Sequence, residues 1–196
     1  MKTRQIITIC LFFIAIQNVK SQMSITLPDG YISYKDGNGK EIRNDNDFDN
    51  DGITDLAIVC ADKNGAKIIA FYLSSKYLVN QVFSWFPWDY EYIELKYLNN
   101  VLDITQDDNG RTFTGLKLKY YANLNNMKLI GYEENGNMFN PNTSQLEHIY
   151  SKIINLNTGE YEMNGVKRKI NSIDLITLSN IEKYFGYLNA IGNNNK

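Results

Sequence analysis

The chain has 196 residues, 20 of them basic and 22 acidic, with a formal net charge of −2 and two cysteines. The length suits one domain, and the absence of a basic cluster leaves no electrostatic footprint for nucleic acid or an anionic membrane. Two cysteines, one of them in the N-terminal apolar run, exclude a disulfide framework.

Lys2 and Arg4 precede an apolar run from Ile6 to Ile16, and Val19 and Ser21 stand just before Gln22. This is the layout of a secretory signal peptide over residues 1–21, cut after Ser21; the run is too short to span a bilayer. The expected product is a secreted or periplasmic protein with no membrane span, comprising a single β domain over residues 22–196. Cleavage removes Lys2, Arg4 and Lys20 and no acid, so the basic residues fall from 20 to 17 against 22 acids, and the net charge from −2 to −5. Cys10 leaves with the signal. Cys60 remains alone, between Val59 and Ala61, where a thiol is expected to pack as a small hydrophobe.

Turn signals at Pro28-Asp29-Gly30 and Asp36-Gly37-Asn38-Gly39 predict at most two short strands in the first mature residues. Next comes Asp47-Phe48-Asp49-Asn50-Asp51-Gly52-Ile53-Thr54-Asp55, a D-x-D-x-D-G-x-x-D string. Calcium takes about 6 to 8 oxygen ligands at about 2.3–2.6 Å. The side chains of Asp47, Asp49, Asp51 and Asp55, with the carbonyl of Ile53 and water, could supply them if the backbone turns sharply at Gly52. All donors are oxygen, so no transition metal is implied. An EF-hand would need a glutamate at the twelfth position, which is Ile58, and a helix afterwards. Leu56 to Ala61 is instead an apolar, partly β-branched run that predicts a buried strand. A loop of this form feeding a strand resembles the FG-GAP calcium repeat of integrin-like β-propellers, over about ten residues.

Asp62-Lys63-Asn64-Gly65 predicts a hairpin turn, with Lys67 to Leu73 returning. Both arms are apolar on both faces, so each face must be covered. The stretch from Val82 to Tyr92 is dense in aromatics and contains Trp85, Trp88 and Pro87. Those rings could fill the join between two halves of the core or form a sugar-stacking surface. Ile93, Leu95 and Tyr97 alternate with Glu94 and Lys96, and Leu116, Leu118 and Tyr120 alternate with Lys117 and Lys119, which predicts strands with one wet face in an antiparallel meander. Residues 134–147 are expected as a polar loop, followed by a hairpin from Tyr150 to Lys169. Ser179-Asn180-Ile181-Glu182 has the form of a capping box, which predicts one short helix within residues 177–191, ended at Gly192.

Taken together, Pro28-x-Gly30-Tyr31, the acidic loop, the aromatic hairpin, Lys128 to Glu133 and Asn155 to Glu162 make the chain similar to small exported bacterial proteins related to the two-bladed, propeller-like periplasmic lysozyme inhibitors. The resemblance implies an all-β, antiparallel fold of two four-stranded blades packed together, with calcium as scaffold. Such inhibitors often carry an S-G-x-x-Y loop; here Thr114-Gly115 is the nearest string, with the tyrosine out of register. The expected function is an exported calcium-binding module that binds a protein, such as a lysozyme-like cell-wall hydrolase. The alternative is glycan binding or adhesion through exposed aromatics. No nucleophile or metalloprotease motif is present, and His148 stands alone, so no catalytic residue is assigned.

Overall fold

The structure is a computed structural model that describes residues 25–74, 80–83, 92–108, 110–170 and 174–192. Residues 1–21, read above as a signal peptide, and Trp85 and Trp88 lie outside the described residues. The fold is all-β and antiparallel, with one short C-terminal helix. No helix among the described residues is long and apolar enough to cross a membrane.

The first sheet is built on β3 (Asp55–Asp62), β4 (Lys67–Tyr72) and β5 (Asn80–Phe83). The outer edge of β3 is shared by two short strands: β1 (Tyr31–Ser33) pairs with Cys60 to Asp62, and β2 (Arg43–Asn46) pairs with Asp55 to Ile58. The sheet is thus four strands wide although five strands build it. At the β3–β4 turn, the Asp62 carboxylate accepts from the backbone N–H groups of Asn64 and Ala66, both at 2.8 Å, and Gly65 takes φ +84°. The two-sided burial expected of this hairpin holds. Ala57, Val59, Ile69 and Phe71 face the main core, while Leu56, Ile58, Cys60, Ile68, Ala70 and Tyr72 form a second cluster, against which Ile25, Leu27 and Tyr31 pack.

The second sheet departs from the expected four-stranded blade: it is a seven-stranded meander. Its strands are β6 (Tyr92–Leu98), β7 (Val101–Asp107), β8 (Thr112–Tyr121), β9 (Asn126–Asn140), β10 (Gln145–Asn155), β11 (Glu160–Met163) and β12 (Val166–Lys169). Strands β9 and β10 are also longer than expected, because they take in most of residues 134–147, expected as a loop. Glu134, Asn135 and Gly136 pair with Thr114, Phe113 and Thr112. These polar residues stay in a strand because their side chains find partners, and because Gly136 leaves room for the Tyr150 ring: a Cβ there would sit 2.2 Å from Tyr150 Cε1. The actual turn is Pro141 to Ser144.

The two sheets share one core, in which Val59 and Phe71 join Leu102, Ile104, Leu116, Leu118 and Leu129. Ile176 to Leu178 pair with the start of β9, and a 3-10 turn (Ile181–Tyr184) leads into α1 (Phe185–Ala190), which buries Leu188. Gly192 follows at φ +86°, as expected. The capping box does not form. Asn180 stands at the N-cap without a side-chain cap bond, and Ser179 Oγ instead lies 2.9 Å from Thr177 Oγ1 and accepts from Asn126 Nδ2.

Candidate metal centre

The acidic loop lies between β2 and β3, at the seam of the two sheets. Its backbone reverses through left-handed conformations at Asn50 (φ +61°) and Gly52 (φ +86°), the first tolerated by a short polar side chain and the second by the lack of one. Phe48 points the other way from its acidic neighbours. It is buried in the main core, with its ring 5.0 Å from that of Tyr97 on β6. The Tyr97 hydroxyl donates to the Asp47 carbonyl at 3.1 Å, and Asn44 Nδ2 on β2 donates to the Leu95 carbonyl on β6. The loop is therefore anchored to both sheets.

Carboxylate oxygens of Asp47, Asp49 and Asp55 all lie within 4.8 Å of one another, and this cluster could hold a metal ion. Asp47 accepts from the N–H groups of Asp51 and Gly52, and Asp49 also accepts from that of Asp51. Asp55 is 1% exposed, and both its oxygens are engaged: Oδ2 accepts from the N–H groups of Phe48 (2.6 Å) and Asp49 (3.3 Å), and Oδ1 from that of Ser74 (2.7 Å). Asp55 Oδ2 thus already accepts two bonds, whereas Asp47 Oδ1 and Oδ2 each accept one and keep a lone pair for a cation. Burial pushes the Asp55 carboxyl above its ordinary range, an effect opposed by the Ser74 and Phe48 hydrogen bonds and reinforced by the charge of Asp49. The field of the loop is also felt at Tyr97, whose hydroxyl is raised first by burial and then by the charges of Asp47, Asp55 and Asp49.

Asp51 is not a member of the trio. Its Oδ1 accepts from the Ile53 N–H at 2.7 Å and its Oδ2 from the Ser74 hydroxyl at 2.8 Å. Ile53, expected to offer its carbonyl, has an exposed side chain on the loop rim. Asp45 is held by the Arg43 guanidinium, with Nε 2.8 Å from its Oδ2, which removes one acid from the loop's mutual repulsion. Ser74, at the end of the returning strand, and Tyr97 are the partners that the local motif could not reveal. The hairpin spacing from Asp55 to Ser74 was the available signal for the former; nothing marked the latter.

Sequence reasoning also missed a second polar centre. Lys152 on β10 is 1% exposed; its Nζ lies 2.9 Å from Glu134 Oε2 on β9 and donates to the carbonyls of Leu188 (3.2 Å) and Asn189 (3.0 Å) in the last turn of α1. The Tyr150 hydroxyl donates to Glu134 Oε1 at 2.7 Å, and the Tyr132 hydroxyl lies 3.1 Å from Glu134 Oε2 and 2.6 Å from Asn189 Oδ1. Burial alone would raise the Glu134 carboxyl, but the hydrogen bonds from Tyr150 and Lys152 and the Lys152 charge outweigh it and hold it below its ordinary value.

The remaining sequence candidates fall elsewhere. His148 is exposed on β10, its Nδ1 3.3 Å from Asn137 Oδ1. Thr114-Gly115 lies inside β8 with Thr114 buried, so this string forms no projecting loop. No protein-family model matches the chain, and comparison with curated proteins and with solved structures gives no match.

Proposed function

We propose that the protein is an exported calcium-binding β domain that acts by binding another protein and not by catalysis. The observation that carries the reading is the Asp47, Asp49 and Asp55 cluster, three carboxylates within 4.8 Å at the seam of the two sheets. An all-oxygen donor set favours a hard cation, and calcium tolerates the irregular geometry of a loop better than magnesium, which demands near-ideal octahedral coordination. Asp51, the Ile53 carbonyl and water would complete the shell after a small rearrangement of the loop rim.

The surface that favours a protein partner is the distal β9–β10 hairpin, where Met138, Phe139, Leu146 and Ile149 are all exposed. Phe139 and Leu146 are direct cross-strand partners, and adjoining exposed apolar side chains of this size mark interaction sites more often than scattered ones do. A lysozyme-like cell-wall hydrolase is the first partner to test, on the resemblance alone. The experiment is capture from cell envelope and culture fluid by the mature protein, with calcium and with chelator, beside a Phe139→Ser/Leu146→Ser variant. Retention of one partner by the wild type, lost in the variant at unchanged melting temperature, supports the reading. Equal capture by both proteins removes the hairpin from it. The calcium half is tested separately by titration calorimetry of chelator-treated protein, and no heat of binding at millimolar calcium would overturn it.

A further inference from the structure

Across the inner face of the second sheet, one row of cross-strand neighbours reads Ile93, Gln106, Thr114, Glu134, Lys152, Met163. The adjacent row, Leu95, Ile104, Leu116, Tyr132, Ile154, Tyr161, carries no charge and only two hydroxyls. Four neighbouring strands thus place polar side chains side by side inside the fold. At one end of this row the chemistry is complete, because Glu134 and Lys152 satisfy each other with help from Tyr132, Tyr150 and the end of α1. At the other end it is not. Gln106 is 0% exposed, and neither Oε1 nor Nε2 has a hydrogen-bond partner in the protein. Among the described residues it is the one side chain with both amide atoms buried and unpaired; Asn126 lacks a partner only at Oδ1, its Nδ2 donating to Ser179.

Buried polar groups in folded proteins are nearly always paired, with protein or with ordered water. We propose that Gln106 and Thr114 form an internal binding site for a water molecule. The ligand must accept from Nε2 and donate to Oε1, so it carries both functions. It is neutral, because the only charges in the row already neutralise each other. It is small, because Gln106 lies wholly buried on the packed inner face. Water fits all three conditions, and Gln106 Oε1, Gln106 Nε2 and Thr114 Oγ1 supply the polar partners, two to four, that a buried water uses. The site makes the row a continuous polar layer across β7 to β10.

The test uses the full mature chain. In NMR spectra, the Gln106 side-chain amide protons, assigned by their loss in Gln106→Met, should show cross-relaxation with a long-lived water. The same substitution removes the water's partners, so it should lower the melting temperature by a few degrees. An amide without solvent would give the opposite, since replacing an unpaired buried amide by an apolar group of similar size relieves its desolvation. Wild-type amide protons that see only protein protons overturn the proposal, and so does a Gln106→Met protein that melts higher than wild type.

Discussion

The acidic loop and the Glu134–Lys152 centre are both charged groups taken partly out of water, yet they are solved in opposite ways. At Glu134 and Lys152 the charges are of opposite sign and carried by adjacent strands, with hydrogen bonds from Tyr150 to Glu134 and from Lys152 to the Leu188 and Asn189 carbonyls. In the loop, Asp47, Asp49 and Asp55 carry one sign, and backbone N–H groups supply partial charge but no neutralising cation. The first centre is complete as folded; the second could hold a cation, which the proposed calcium would supply. The difference separates a charge pair that fixes the architecture from a charge cluster that can respond to the medium.

The sharpest way to break that comparison is to take one partner from the complete centre. Lys152→Met keeps the length of the side chain but leaves the Glu134 carboxylate without its cation and the Leu188 and Asn189 carbonyls without their donor. Breaking a buried pair in this way costs about 3–5 kcal/mol. We expect urea unfolding to show a loss of that size, equal in calcium and in chelator. A loss confined to one of the two conditions would mean that the centres are coupled.

The next effect belongs to the loop. If the proposed calcium binds with a dissociation constant of about 10⁻⁵ to 10⁻⁴ M and is present near 1 mM, ligand linkage would stabilise the fold by roughly 1.4–2.7 kcal/mol. Chelator should therefore lower the melting temperature by several degrees, with magnesium restoring little. The structure also ranks the acids. Asp47→Asn removes a member of the trio and should abolish most of the calcium response, whereas Asp51→Asn, whose carboxylate is turned toward Ser74 and Ile53, should weaken it less. Melting curves of the two variants across calcium concentrations decide the order, and equal losses would return Asp51 to the first coordination sphere.

Much of this was legible in the sequence because its signals are local. The D-x-D-x-D-G-x-x-D string gave the loop, and the doubly apolar Leu56 to Leu73 hairpin gave a strand pair covered on both sides. The alternation from Ile93 to Tyr97 gave the facing of β6, where Ile93 and Leu95 are buried and Glu94 and Lys96 exposed. The length of β9 and β10 and the buried ion pair between them were not legible, for one reason. Around Tyr150 both parities carry apolar residues, Ile149 and Ile153 on one and Ile154 on the other, so which set faces inward depends on the register shift between His148 and Tyr150. That shift is a tertiary event. It turns Lys152 inward, and only then does Glu134 read as a strand residue with a partner instead of a turn former.

A smaller effect distinguishes the centres by pH. The folded Glu134 carboxyl lies below its unfolded value, so its stabilising contribution is present above the unfolded pKa and is lost as pH falls through the folded one. Asp55 runs the other way in metal-free protein. Its folded value is raised, so its contribution is present below the unfolded pKa and is lost as pH rises through the folded one. Calcium requires the ionised form and should reverse that second trend. Acid titration of stability should therefore show a steeper fall with calcium than with chelator, and parallel curves would place Asp55 outside the metal's reach.

The smallest expected effect concerns Cys60, and it tests whether the first sheet stays covered when the loop is emptied. The thiol is buried in the second apolar cluster between Ile58 and Ile68, and burial, with a contribution from the Glu41 charge, pushes it up to about 11. Thiolate is the reactive form, so labelling in native buffer should be slow and governed by unfolding. Chelator removes the loop's contribution to global stability, so it should speed labelling roughly in proportion to the rise in the unfolded population. A stability change of about 1.4 kcal/mol corresponds to about a tenfold faster reaction. Cys60 lies on β3, which begins at Asp55. If chelation instead sped labelling far beyond the measured loss of global stability, the metal would be holding β3 against local opening, and the loop would set the strand's order as well as the fold's stability.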